Sequence, residues 1–270
     1  MTPAPRVHDS ATRLGAAEHD AVVACGSHGG VYAAWLAARA GVRAIVLNDA
    51  GIGLGRAGVA GIAWLDALGI AACAVDFLSA RIGDGGDTLA SGVLSTVNAA
   101  AERAGCAPGM ACREALGLLA RNAPPRAGAI DIPPIGESRH AITSTGHRPA
   151  WALDSVSLVR PEDGRAIVAT GSHGALLGGK PDHVLEVAVH AAFFNDAGGG
   201  KDGAGYSRLP ALGARGIAAA TVGCESARIG EGLSTYETGV LSRVNGCARR
   251  LDLREGLTCR EAVARLLGLG

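Results

Sequence analysis

The chain has 270 residues, 48% of them hydrophobic and 19% charged, with a mean hydropathy of +0.24 and 25 basic side chains against 25 acidic ones. That balance excludes a disordered chain. With only 3% aromatic residues, it also excludes a polyanion, an acidic membrane surface or a base-stacking platform as the main business of the protein, so neither nucleic acid nor membrane is an expected partner. No run of about 18 apolar residues offers a membrane span, MTPAPRVHDS lacks the apolar core of a signal peptide, and the seven cysteines show no CxxC spacing and read as reduced thiols, so a cytoplasmic location is expected.

In chain order, ATRL (11–14) is expected as a short strand and AVVAC (21–25) as a buried parallel strand ending in glycine. VYAAWLAARA (31–40) predicts a helix, RAIVLNDA (43–50) a strand, GVAGIAWLDALG (58–69) a helix and IAACAV (70–75) a third strand. Helices are expected at 88–104 and 111–121. A proline-rich stretch at 117–151 reads as a connection. The same series then returns: VSLV (156–159), AIVAT (166–170), VAVHAAFFNDA (187–197), a weaker helix containing Pro210, IAAATV (217–222), and helices at 235–250 and 258–268.

The return is an internal repeat. VVACGSHGG (22–30) recurs as IVATGSHGA (167–175), NDAG (48–51) at 195–198, SARIGDG (79–85) as SARIGEG (226–232), GVLSTVN (92–98) as GVLSRVN (239–245), and CREA (112–115) at 259–262. From NDAG onward the offset is constant, 195 − 48 = 147. Strands alternating with helices predict an α/β fold: two pseudo-symmetric, Rossmann-like lobes with parallel sheets flanked by helices, at residues 1–116 and 152–270. One continuous sheet is the alternative.

Ligands of open parallel sheets bind beyond the carboxyl ends of the strands. The repeated polar motifs fall there, so Ser27, His28, Asn48, Asp49, Ser79 and Arg81 should converge in the first lobe, and Ser172, His173, Asn195, Asp196, Ser226 and Arg228 in the second. A histidine near an aspartate is a general base with an orienting partner, and the arginines offer a fork for a carboxylate. The structural alternative is that Asn, Asp and Ser serve turns and caps, and that Arg81 and Arg228 pair with Asp84 and Glu231. His28, His173, Asp49 and Asp196 also form a candidate set for a divalent metal.

The copies differ in the expected cleft. Lys201 and Asp202 stand opposite Leu54 and Gly55, and Cys224 and Glu225 opposite Phe77 and Leu78. One asymmetric site follows, with Lys201 as an electrostatic stabiliser or carboxylate holder and Cys224 as a thiol whose pKa a helix N-terminus can depress. GLGRAG (53–58), followed by Asp76, matches the dinucleotide fingerprint and makes NAD(P) an alternative cofactor.

VGCES (222–226) resembles the aspartate/glutamate racemase superfamily, which carries a cysteine near a strand end in each lobe, the second in a Gly-Cys-Thr context. Cys224 matches that second cysteine, while Phe77 stands at the first position and Glu225 replaces the threonine. The resemblance implies proton-transfer chemistry, racemisation or isomerisation.

The leading expectation is an enzyme for a small polar metabolite, a carboxylate or cyclic amide, most simply a hydrolase. A cofactor-independent isomerase, racemase or lyase using Cys224 or Lys201, a non-catalytic small-molecule binding protein, and an NAD(P)-dependent enzyme are the alternatives. The many small residues permit a homo-oligomer.

Overall fold

The computed structural model describes residues 4–126, 131–143, 148–180 and 185–269. Parts of the expected connection, 127–130 and 144–147, therefore lie outside the described residues. The first half forms β1 (Arg6–His8), β2 (Val22–His28), α1 (Val31–Ala40), β3 (Ala44–Asn48), α2 (Ala60–Ala67), β4 (Ala71–Val75), α3 (Gly85–Ser91), β5 (Leu94–Val97), α4 (Ala99–Arg103) and α5 (Cys112–Asn122). The second forms β6 (Arg139–Thr143), β7 (Ala150–Leu153), β8 (Ile167–His173), β9 (Ala191–Asn195), α6 (Arg208–Ala214), β10 (Ala218–Val222), α7 (Gly232–Glu237), β11 (Leu241–Val244), α8 (Gly246–Arg250) and α9 (Cys259–Leu267).

Two separate sheets result, not one: β1-β2-β3-β4-β5 and β11-β10-β9-β8-β7-β6. Each is mostly parallel. The exceptions are β5 against β4, β11 against β10 and β6 against β7, which are antiparallel. The stretch read as a connection contains the end of α5, all of β6 and the start of β7.

Alternation along the strands builds the core on both faces of each sheet. Val23, Cys25, Ile45, Leu47, Ala72 and Ala74 pack under α1 and α2. Val22, Ala24, Val46, Cys73 and Val75 pack under α4 and α5. Phe194 and Val168 repeat the first arrangement in the second sheet, and Phe193, Ile167 and Val222 the second.

Two expectations are corrected. ATRL and VSLV form 3₁₀ turns at Ala11–Arg13 and Val156–Leu158, because the Ser10 and Ser155 hydroxyls accept the amides two residues on and start a turn. The helices expected over 88–104 and 235–250 are each broken into helix, strand and helix. Gly92 ends α3, and the apolar, β-branched run that follows pairs with β4 before Asn98 caps α4. The second lobe also has no counterpart of α1 among its described residues: a 3₁₀ turn at Leu177–Gly179 follows β8.

Asn98 explains why GVLSTVN repeats. Its Oδ1 accepts from Ala72 and Ala101, and its Nδ2 donates to Ile62 and Ile70, so one side chain ties together β4, α2 and α4. Asn245 makes the same four bonds to Ala219, Ala248, Leu209 and Ile217. Both are buried. Asn98→Ala and Asn245→Ala each strand buried backbone groups and are expected to lower unfolding free energy by about 2–4 kcal/mol. Chemical denaturation checks this, and a change below about 0.5 kcal/mol would contradict the role.

Candidate functional site

The NDAG loops and the strand ends of one lobe meet those of the other. Ala50, Ala57, Ile82, Ala175, Ala197, Ala204 and Ile229 form a small apolar cluster between the lobes. The contacts are reciprocal, as in a two-fold arrangement. Leu54 N–H donates to Cys224 C=O at 2.8 Å, and the equivalent Lys201 N–H donates to Phe77 C=O at 2.8 Å.

The two histidines cross the same interface. A Cβ placed on Gly230 would lie 3.5 Å from His28 Cε1, and one on Gly83 would lie 3.3 Å from His173 Cε1. Each GSHG histidine therefore sits over the SARIG glycine of the opposite lobe. Both rings line one cleft, together with Ser27, Tyr32, Glu137, Asp154 and Ser172.

The partner that orients each histidine is the backbone, not an aspartate. Gly30 N–H donates to His28 Nδ1 at 3.1 Å, and Ala175 N–H donates to His173 Nδ1 at 3.2 Å. That bond assigns the neutral tautomer with the proton on Nε2. Burial pushes the pKa of His28 down to about 4. Burial and then the Arg208 charge push His173 down to about 3. Near neutral pH both are uncharged imidazoles, each with one N–H to donate.

Most of the other expected site residues are spent on the scaffold. Asn48 Nδ2 donates to Ala80 C=O and its Oδ1 accepts from Ala50; Asn195 repeats this with Ala227 and Ala197. Asp49 accepts from the amides of Gly51 and Phe77 and from the Ser95 hydroxyl, and Asp196 from the amides of Gly198 and Cys224. Ser27 and Ser172 accept from Ala11 and Val156 and hold the 3₁₀ turns. Ser79 and Ser226 accept from Val93 and Val240.

The charged candidates form a clasp outside the histidine cleft. Arg81 pairs with Asp202 at 2.9 Å and with Asp84 at 3.5 Å, and Lys201 pairs with Asp87 at 2.9 Å. Arg228 pairs with Glu231 at 2.6 Å. Cys224 differs from expectation: burial and then the charge of Asp196 push its thiol up to about 12, so it carries no thiolate near neutrality. The GLGRAG glycines serve the lobe contact, since Leu54 bonds Cys224 and a Cβ on Gly55 would lie 2.3 Å from Arg228 Nη1. The direct strand–turn–helix context of a dinucleotide fingerprint is missing, because residues 49–59 separate β3 from α2. Among the described residues, no group of three or more His, Cys, Asp or Glu side chains is placed to hold a metal ion.

Tyr32 and Glu137 were not legible as site residues. Burial raises the Glu137 carboxyl pKa, against hydrogen bonds from Ser155 and Tyr32. Glu137 lies in the proline-rich stretch and has no repeated counterpart, so no sequence pattern marked it. No protein-family model matches the chain, and no curated protein or solved structure matches it either.

The histidines make a testable contribution to stability. Their folded pKa values, about 4 and about 3, lie below the usual 6.5, so from about pH 6.5 down to those values the unfolded chain binds protons that the folded chain does not. Stability is fully present above that window and falls as pH drops through it. The melting temperature should decline from pH 6.5 to 5, and His28→Asn/His173→Asn, which keeps an acceptor near each Nδ1 position, should flatten the decline. An unchanged slope in the double variant would rule out the histidines as its source.

Proposed function

We propose that the protein is an enzyme that hydrolyses a C–N or C–O bond beside the carbonyl of a small polar metabolite, a carboxylate or cyclic amide. The observation that supports this reading is the pair of neutral imidazoles lining one cleft, each with Nδ1 taken by a backbone amide and its proton on Nε2. Two such donors suit a carbonyl oxygen whose negative charge grows in the transition state. A neutral imidazole is the better donor here, because it stabilises the oxyanion without giving up its proton.

Glu137 is the acid/base of this reading. Both Asp154 oxygens are engaged, by Ser138 and Gly232 amides, whereas burial gives Glu137 a raised pKa closer to the working range. Water attacks the carbonyl carbon, Glu137 takes a proton from that water, and the same proton passes to the departing nitrogen or oxygen.

We read the two lobes as copies of one Rossmann-like unit. Their shared motifs, matching parallel strand order and reciprocal contacts support it. Seven unpaired cysteines support a reducing, cytoplasmic setting.

The test is a turnover screen over small cyclic amides, N-acyl amino acids and carboxylate esters, followed by variants on any substrate found. His28→Asn and His173→Asn should each lower kcat by roughly 10²–10³-fold. Glu137→Gln should lower it by about 10²–10⁴-fold. Lys201→Met breaks the clasp outside the cleft and should lower the melting temperature more than kcat. Full turnover in all three cleft variants would overturn the assignment. Saturable binding without turnover by the native protein would favour a binding protein.

A further inference from the structure

The lobes differ at one buried position whose backbone is the same in both. Gly61 N–H donates to Gly29 C=O at 2.8 Å, and the equivalent Arg208 N–H donates to Gly174 C=O at 2.9 Å. In the first lobe only glycine fits. A Cβ there would lie 2.5 Å from Gly30 O and 2.6 Å from Ala34 Cβ, because α1 packs directly on it. In the second lobe the chain after Ala175 forms a 3₁₀ turn instead of that helix, and the Arg208 side chain runs inward.

Arg208 is 2% exposed. Its Nη2 donates to Ala175 C=O at 3.0 Å, and its guanidinium lies 4.9 Å from the centre of the Phe194 ring. Its Nε and Nη1 have no hydrogen-bond partner among the described residues. No described carboxylate forms an ion pair with it, although ten other such pairs among described residues involve Lys or Arg. A guanidinium remains charged in proteins, and a buried charge without a counter-ion costs several kcal/mol. An aromatic face and one carbonyl meet only part of that demand. The unmet N–H groups are the donor type that recognises carboxylates and similar small anions.

We propose that Arg208 is an anion-binding site of the second lobe, taking one small monovalent anion, such as a carboxylate, on one of its free guanidinium donors, Nε–H or Nη1–H. The first lobe has no equivalent site, because Gly61 and α1 fill the space. The anion is either a free ion or the carboxylate of a metabolite held beside His173. The proposal does not rest on the hydrolase reading, since binding is measured without turnover.

The experiment compares sodium formate, acetate and nitrate with sodium gluconate, a much bulkier anion, at one ionic strength. The native protein should melt at least about 3 °C higher in saturating formate or nitrate than in gluconate. Arg208→Met removes the charge at similar volume. It should lose that difference and, in gluconate, melt no lower than the native protein. Should Arg208→Met fail to fold, formate titration of the native protein followed at arginine Nε–H resonances by NMR decides. One saturable arginine shift is expected, and no saturable shift overturns the site. An equal formate response in Arg208→Met also overturns it. Competition between nitrate and a carboxylate metabolite assigns the site to the metabolite, and additive binding assigns it to a resident ion; both outcomes uphold anion binding.

Discussion

The approach of the two NDAG loops controls the rest of the molecule. A Cβ on Gly51 would lie 3.2 Å from Gly198 Cα, so the backbones pass with almost nothing between them. Gly51 and Gly198 adopt φ of 72° and 76°, and the alanines before them 51° each. A chain carrying larger side chains here could not bring the strand ends of the two sheets face to face. Once they are face to face, the exchange of amide and carbonyl between Leu54 and Cys224, and between Lys201 and Phe77, sets the register of the lobes. The histidines then fall over the opposite glycines, and the cleft follows from that placement.

The polar residues around this contact hold positions that the backbone alone would not keep. Asn48 and Asn195 are fully buried and accept the amides of the positive-φ alanines, which offsets the strain of a non-glycine residue in that region. Asp49 and Asp196 span from their own loop to the next strand end, at Phe77 and Cys224, the residues whose carbonyls cross to the other lobe. A carboxylate committed to backbone amides is a poor acid/base. Thus the same bonds that assemble the cleft leave the histidine orientation to the amides of Gly30 and Ala175.

Much of the fold was legible because it follows from short apolar runs. AVVAC, RAIVLNDA and IAACAV all contain parallel strands, and the repeat located their counterparts. The segment 88–104 was not legible: four residues of strand between two short helices carry too little periodicity to declare themselves, and pairing with β4 decides their conformation. At the site, recurrence correctly marked residues at the sheet edges but did not distinguish chemistry from assembly. His28 and His173 line the cleft, while Asn48, Asp49, Arg81 and their equivalents build loops and pairs. A repeated motif records whatever both lobes need, and both lobes need the same interface.

What is specific to the molecule therefore lies in the departures from symmetry. Across one half of the interface Lys201 and Asp202 reach Asp87 and Arg81, a clasp of four charges. Across the other half the equivalent positions are Leu54, Gly55, Ser234 and Arg228, and Arg228 turns to Glu231 of its own lobe. The Asp202 end is 62% exposed and contributes little, but Asp87 is 9% exposed, so the Lys201 pair acts in a less screened setting. The charged clasp, the 3₁₀ turn that follows β8 where α1 follows β2, and the arrival of Arg208 all depart from the first lobe's pattern. A frame shared by both lobes carries a charge arrangement that belongs to one, so the two halves of the interface are alike in backbone and unlike in charge.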